Sequence, residues 1–150
     1  MNVGDLMKYV KDNKVDAEVI LHKGRSGMKS EEAAAILGVG VEKIIKALLF
    51  SGDDGKKAIV ILQGSKRADS ARLGLVNPRL VKPEAVKEIL GYTPGSIPPI
   101  CLPAEIPKFL DSAVLEQDYV YGSACNEFAG LKIRPAEILA HNKNISILPN

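Results

Sequence analysis

One lysine stands inside an otherwise apolar run, Ile44-Ile45-Lys46-Ala47-Leu48-Leu49-Phe50. If the run is a strand, side chains alternate, and Lys46 shares a face with Ile44, Leu48 and Phe50. Two readings of the ammonium follow. Its stem can cover apolar surface while its head reaches water, or the head can face a cleft of lowered dielectric and attract a phosphate or carboxylate. A helix would instead set Lys46 four residues after Glu42, as an ordinary surface ion pair. A second stretch, Gly91-Tyr92-Thr93-Pro94-Gly95-Ser96-Ile97-Pro98-Pro99-Ile100, combines glycines that let backbone approach a ligand with prolines that fix its shape. Its N–H groups could hold a carbonyl oxygen that becomes negative, although a purely structural turn has the same composition.

The other reactive side chains form no recognisable constellation. His22, at the end of a strand, and His141, in the terminal helix, belong to no Ser-His-Asp or Cys-His arrangement. A surface or loop role is expected for His22, with a substrate-edge contact as the alternative, and a structural role for His141. Cys101 and Cys125 lack C-x-x-C spacing, so free thiols are expected rather than a zinc site or a disulfide. Cys125 is read as a packing or pocket residue, not a nucleophile. Neither a G-x-x-x-x-G-K-[ST] loop nor a G-x-G-x-x-G turn is present, which weakens a generic nucleotide-binding reading.

The elements that must position these groups are legible from start and stop signals. Residues 4–13 have helical spacing, 15–21 read as a strand and 23–30 as a loop. Ser30 is a candidate N-cap for the helix that ends at Gly38, and 39–43 suit a further helical turn. Strands over 44–50 and 57–63 flank Asp54-Gly55, a hairpin signal. A short helical stretch over 70–73 precedes a helix opened by Pro83 and closed by Gly91. Prolines 94, 98, 99 and 103 exclude helix or central strand over 91–103. A strand with a helical turn, two more strands and a short terminal helix complete the chain. Helices and strands alternate without a regular βαβ rhythm, so the expected class is α+β: a single domain over 1–150 with a curved mixed sheet flanked by helices.

Composition bounds the function. The 150 residues are 46% hydrophobic and 25% charged, which suits one globular domain. A net charge of +2 neither requires nor excludes nucleic acid. Lys23, Arg25, Lys29, Lys66, Arg67 and Arg72 are candidate phosphate contacts or solvated surface. No apolar run is long enough to span a bilayer, and the charged, helix-patterned N-terminus is not signal-like, so a cytoplasmic protein without a membrane partner is expected.

Three segments taken together, "EEAAAILGVGVEKIIKALLF", "GYTPGSIPPICLP" and "GSACNEFAGLKIRPAEIL", resemble the YbaK/ProX family in order and separation. Its members are freestanding relatives of the editing domain of bacterial prolyl-tRNA synthetases. The resemblance extends from about Ser30 to Leu139. It implies a trans-editing deacylase that hydrolyses mischarged aminoacyl-tRNA, with alanine or cysteine on tRNA specific for proline as suggested substrates. Lys46 matches the functionally required lysine of the family. Gly95 matches the first glycine of a Gly-Gly turn whose second position is Ser96 here; Ser123 and Ala124 match the start of a Ser-(Gly/Ala)-Gly loop that ends in Cys125 here. The implied catalytic set is Lys46, Gly95 and Ser96, with Leu48, Phe50, Tyr92, Ile97, Ser123, Ala124 and Cys125 on the substrate. No metal and no cofactor are implied; the partners are the CCA end of an aminoacyl-tRNA and a synthetase. A non-catalytic module that binds aminoacyl-tRNA or an amino acid is the alternative, and only turnover separates the two.

Overall fold

Helix boundaries follow local capping chemistry. A computed structural model describes residues 1–27 and 29–149; Met28, within the loop expected over 23–30, and Asn150 lie outside them. Helix α1 (Val3–Asp12) opens on a reciprocal box in which Asn2 and Asp5 exchange two bonds of 2.9 Å. Each bond satisfies an N–H that a helix start leaves unpaired. Helix α2 (Ser30–Leu37) ends at Gly38, whose φ of 69° suits a residue without Cβ. Ser30 is not its cap: Lys29 holds that position without a side-chain bond, and Ser30 turns toward Gly64. Helices α3 (Pro83–Leu90) and α4 (Pro135–Ala140) each begin on the proline that pre-sets the first turn.

The strands are β1 (Ala17–Leu21), β2 (Ile45–Ser51), β3 (Lys57–Gln63), β4 (Arg79–Leu80), β5 (Lys108–Asp111), β6 (Val120–Ser123), β7 (Ala129–Ile133) and β8 (Ile145–Leu148). They form an antiparallel sheet ordered β1-β7-β6 and a mixed sheet ordered β4-β2-β3-β5-β8. β2 and β3 make the hairpin expected from Asp54-Gly55, with Lys46 opposite Leu62. β3, β5 and β8 run parallel. A lone parallel bridge from Ile44 to Tyr121 joins the two sheets. The architecture is the expected α+β, with its strands divided into two linked sheets.

Two strands were not anticipated. β4 has only two residues, too short for an alternation to register. β8 comes from "ISIL", whose pairing partner β5 lies beyond an intervening helix and sheet, so its strand state is set by a long-range contact.

Apolar side chains from the two faces of the β2–β3 hairpin enter different clusters. Ile45, Ala47, Leu49, Ile59 and Ile61 face the main core with Leu131, Ile133 and Ile138. Phe50, Ala58, Val60 and Leu62 form a second cluster with Leu73. Full burial of each aliphatic side chain contributes about 1.5–3 kcal/mol. Ile44, expected on the Lys46 face, lies before β2 and packs under α2 with Ala33 and Ala34. Lys46 therefore stands at the edge of the second cluster, where the chain leaves Ile44 and enters the sheet.

Candidate functional site

A cleft of about 290 Å³ opens at the junction of the two sheets. Lys46 and Leu48 line it from β2, Pro94, Gly95 and Ile97 from the proline-rich loop, and Ser123 from the end of β6. Ser30 and Ala33 of α2 close another side, while His22, Gly27, Asn126 and Glu127 complete it.

The Lys46 ammonium is half-buried and donates one hydrogen bond, of 2.9 Å, to the Gly64 carbonyl. A lysine head carries three N–H donors, so this anchor fixes its direction without exhausting it. Burial lowers its pKa from the ordinary lysine value, and the neighbouring Arg67 charge acts in the same direction. Both effects increase the benefit of an anion beside it. Gly64 leaves room for Ser30: an added Cβ would come within 2.0 Å of Ser30 Oγ.

The loop turn is built around Gly95, whose φ of 85° strains any side-chain-bearing residue. Ser123 donates its hydroxyl to the Gly95 carbonyl, tying the end of β6 to the turn. The Ser96 N–H, expected among the oxyanion donors, is already bonded to the Thr93 carbonyl at 3.0 Å. Ser96 is 3% exposed, receives a 3.0 Å bond from Thr93 Oγ1 and lies beneath the turn, not on the cleft. Gly95, the other residue of the expected pair, does line the cleft.

The other substrate-binding candidates divide by position. Leu48, Ile97 and Ser123 line the cleft. Phe50 does not: it packs in the second cluster against Ala58 and Leu73, because β2 carries it past the end of the cleft. Ala124 is fully buried in the main core. Tyr92 and Cys125 line a smaller cavity of about 230 Å³, with Ser96. There the Tyr92 phenol is pushed up to about 12, first by burial and then by the Cys125 beside it. Burial also pushes the Cys125 thiol up, which disfavours the thiolate a nucleophile needs. The φ of 75° at Cys125 accounts for the glycine expected at that position.

Residues 25–140 match the family model described as aminoacyl-tRNA editing domain. The chain belongs to the aminoacyl-tRNA editing domain family. It is 31% identical over 107 residues to a proline–tRNA ligase of Desulfitobacterium hafniense, a match covering 66% of this chain and 18% of the ligase. YwhH of Bacillus subtilis is 22% identical over 111 residues, with 72% and 71% of the two chains covered. Among solved structures, hypothetical protein APE2540 superposes with a TM-score of 0.82 at 26% identity, covering 92% of this chain and 97% of that one. A candidate trans-editing enzyme for prolyl tRNA synthetase gives 0.77 at 26% identity, over 89% and 85%.

In this editing domain the six candidate phosphate contacts fall into two groups. Lys23, Arg25 and Lys29 lie on the loop between β1 and α2, and Arg67 follows β3 beside Lys46. Lys66 is paired with Asp111 at 3.4 Å, and Arg72 donates to the Pro149 carbonyl. His141 is structural, held between Tyr9 at 2.8 Å and Glu137 at 3.3 Å. His22 lies in the loop that follows β1, as expected, but not on the surface: it is 5% exposed and forms part of the cleft wall, which agrees with the alternative of a substrate-edge contact. Gly27 and Gly130 are the signal that could have found it, since a Cβ at Gly27 would meet its ring at 2.6 Å and one at Gly130 at 3.0 Å. Among the described residues no group of three metal-ligating side chains occurs, and no helix is long and apolar enough to cross a membrane.

Proposed function

We propose that this editing domain hydrolyses the ester of mischarged aminoacyl-tRNA, acting in trans on small amino acids such as alanine or cysteine carried by tRNA specific for proline. The observation that carries the reading is Lys46, an ammonium anchored by one carbonyl at the wall of a cleft of about 290 Å³. That volume is at the lower end of small-molecule sites and suits a small aminoacyl group on its ribose. The similarity to proline–tRNA ligases supports tRNA specific for proline as the carrier and a synthetase as the associated partner. Residues 1–150 act as one editing unit, in the cytoplasm where translation uses its substrate.

In this mechanism Lys46 holds a phosphate of the CCA end, and Arg67 adds to the attraction. A water oxygen bonds to the ester carbonyl carbon, and a hydroxyl or thiol of the substrate assists removal of its proton. The developing oxyanion is received by the Gly95 N–H, and the bond to the ribose oxygen breaks as that oxygen takes up the proton lost by the water, giving free amino acid and uncharged tRNA. An aminoacyl ester is already activated, so positioning and charge stabilisation supply the rate without a protein nucleophile. A second sieve of this kind is needed because a synthetase pocket discriminates one methylene by only about 1–3 kcal/mol.

The test is hydrolysis of a panel of labelled aminoacyl-tRNAs, beginning with alanyl- and cysteinyl-tRNA specific for proline, by the wild type and Lys46→Ala. Selective hydrolysis lost in the variant is the expected result. Tight binding with no turnover on any member would replace the enzyme with a binding module.

A further inference from the structure

We propose that the cleft wall formed by His22 and Glu127 receives the α-ammonium of the aminoacyl group, so that the ester is bound in one orientation with its phosphate side toward Lys46. This rests on the reading of the cleft as an aminoacyl-ester site and adds the group that recognises the amino acid itself.

The tautomer of His22 follows from its partner. Nδ1 lies 3.2 Å from the Glu127 carbonyl oxygen, which can only accept, so Nδ1 carries the proton. In the neutral ring Nε2 is then a lone-pair acceptor. It is buried and has no hydrogen-bond partner, the one such side-chain nitrogen or oxygen among the described residues. A buried acceptor left unpaired is destabilising, and native structures rarely keep one without a ligand or water to meet it.

The surroundings hold that acceptor in position. The His22 N–H donates to the Phe128 carbonyl at 2.7 Å, and the Gly27 N–H donates to the Glu127 carbonyl at 2.8 Å. Histidine and glutamate are thereby locked to one another. The ring fills the slot left by Gly27 and Gly130, and Gly130 is in register with Ser123 of the cleft. Glu127 is also among the residues that line the cleft, and its carboxylate accepts a 2.7 Å bond from Ser26 Oγ.

The residues of this wall bring a lone pair and a carboxylate, while the wall at Lys46 offers positive charge, with the Arg67 charge near it. A ligand group that matches the first wall must donate hydrogen bonds and carry positive charge. The α-ammonium has three N–H donors and the charge; a ribose hydroxyl has one donor and no charge. A water could meet Nε2, but it would not make use of the carboxylate.

The experiment measures affinities for 3′-alanylamino-3′-deoxyadenosine 5′-phosphate, a non-hydrolysable amide, and for its 3′-propionylamino counterpart, which lacks the ammonium. The wild type is expected to prefer the alanyl compound by about tenfold, the scale of one charge-assisted hydrogen bond. His22→Leu and Glu127→Gln should bring that ratio toward one while changing affinity for the propionyl compound by less than about threefold. His22→Gln, which retains an acceptor oxygen, should restore part of the preference. Equal binding of both compounds by the wild type, or an unchanged ratio in His22→Leu and Glu127→Gln, would overturn the inference. So would discrimination that vanishes with the 2′-deoxy forms of both compounds, which would assign His22 to the ribose. If His22→Leu does not fold, the wild-type ratio and Glu127→Gln decide. Equal binding alongside selective turnover of aminoacyl-tRNA removes only this inference; failure to bind either compound, with no turnover, removes the editing reading as well.

Discussion

Lys46 and Lys108 occupy the same mixed sheet, and burial lowers the pKa of both, yet their surroundings differ in kind. Lys108 is 1% exposed and donates to two carbonyls, Pro103 at 2.5 Å and Ile106 at 2.6 Å, which pins the loop before β5. Lys46 is half-buried, donates to the Gly64 carbonyl and faces a cleft. A buried ammonium is therefore not by itself a sign of chemistry. A place on the wall of an open cleft separates Lys46 from a lysine that only ties backbone together.

Lys108→Ala should show the largest effect and should act on stability. It removes a packed stem and strips a donor from two carbonyls, so denaturant unfolding should report a loss of about 4 kcal/mol. Lys46→Ala should invert the pattern. Unfolding free energy should stay within about 1 kcal/mol of wild type, whereas kcat/KM on a responsive aminoacyl-tRNA should fall about a hundredfold. Equal stability losses in the two variants would erase the distinction between them.

Gly64→Ala tests the anchor of Lys46 and should be intermediate. The new Cβ would meet Ser30 Oγ at 2.0 Å and Ser30 Cβ at 3.0 Å, so the Ser30 side chain must turn away and its Cβ give by a few tenths of an ångström. A stability loss of about 2 kcal/mol is expected, with several-fold weaker binding of the adenosine analogues. Unaltered binding would show that the carbonyl does not orient the ammonium.

The smallest effect is a pH dependence. With its folded pKa below the ordinary lysine value, Lys46 loses its proton at a pH where the unfolded chain still holds it. In that alkaline window the unfolded state binds more protons, so this group makes stability rise with pH, while affinity for the phosphate-bearing analogue falls. Lys46→Arg should move the fall in affinity to higher pH. An identical fall in the variant would assign it to another group.

The hairpin of β2 and β3 was legible because Asp54-Gly55 lies between two apolar runs, and α3 because Pro83 and Gly91 mark its ends. These are local signals, satisfied by neighbours a few residues away. Ser30 misled because a cap preference competes with packing, and here its side chain serves the approach to Gly64. Phe50 shares a cluster with Leu48 yet lies off the cleft, because alternation gives the face of a strand but not where along that face a cleft ends. The N–H of Ser96 is used by a turn bond that a sequence pattern does not display.

What the sequence determined by itself is the set of elements with local punctuation, the lysine inside an apolar strand and the residues that mark the family. What only the tertiary structure decided is which of those residues meet. Lys46 reaches the carbonyl of Gly64, Ser123 reaches Gly95, and His22 reaches Glu127, each across a separation that hydrophobic periodicity does not encode. The physical reason is that a strand or helix forms from short-range geometry, whereas a site forms where two sheets leave volume between them. That volume depends on the packing of side chains distant in the chain, including the glycines that leave room for a histidine ring.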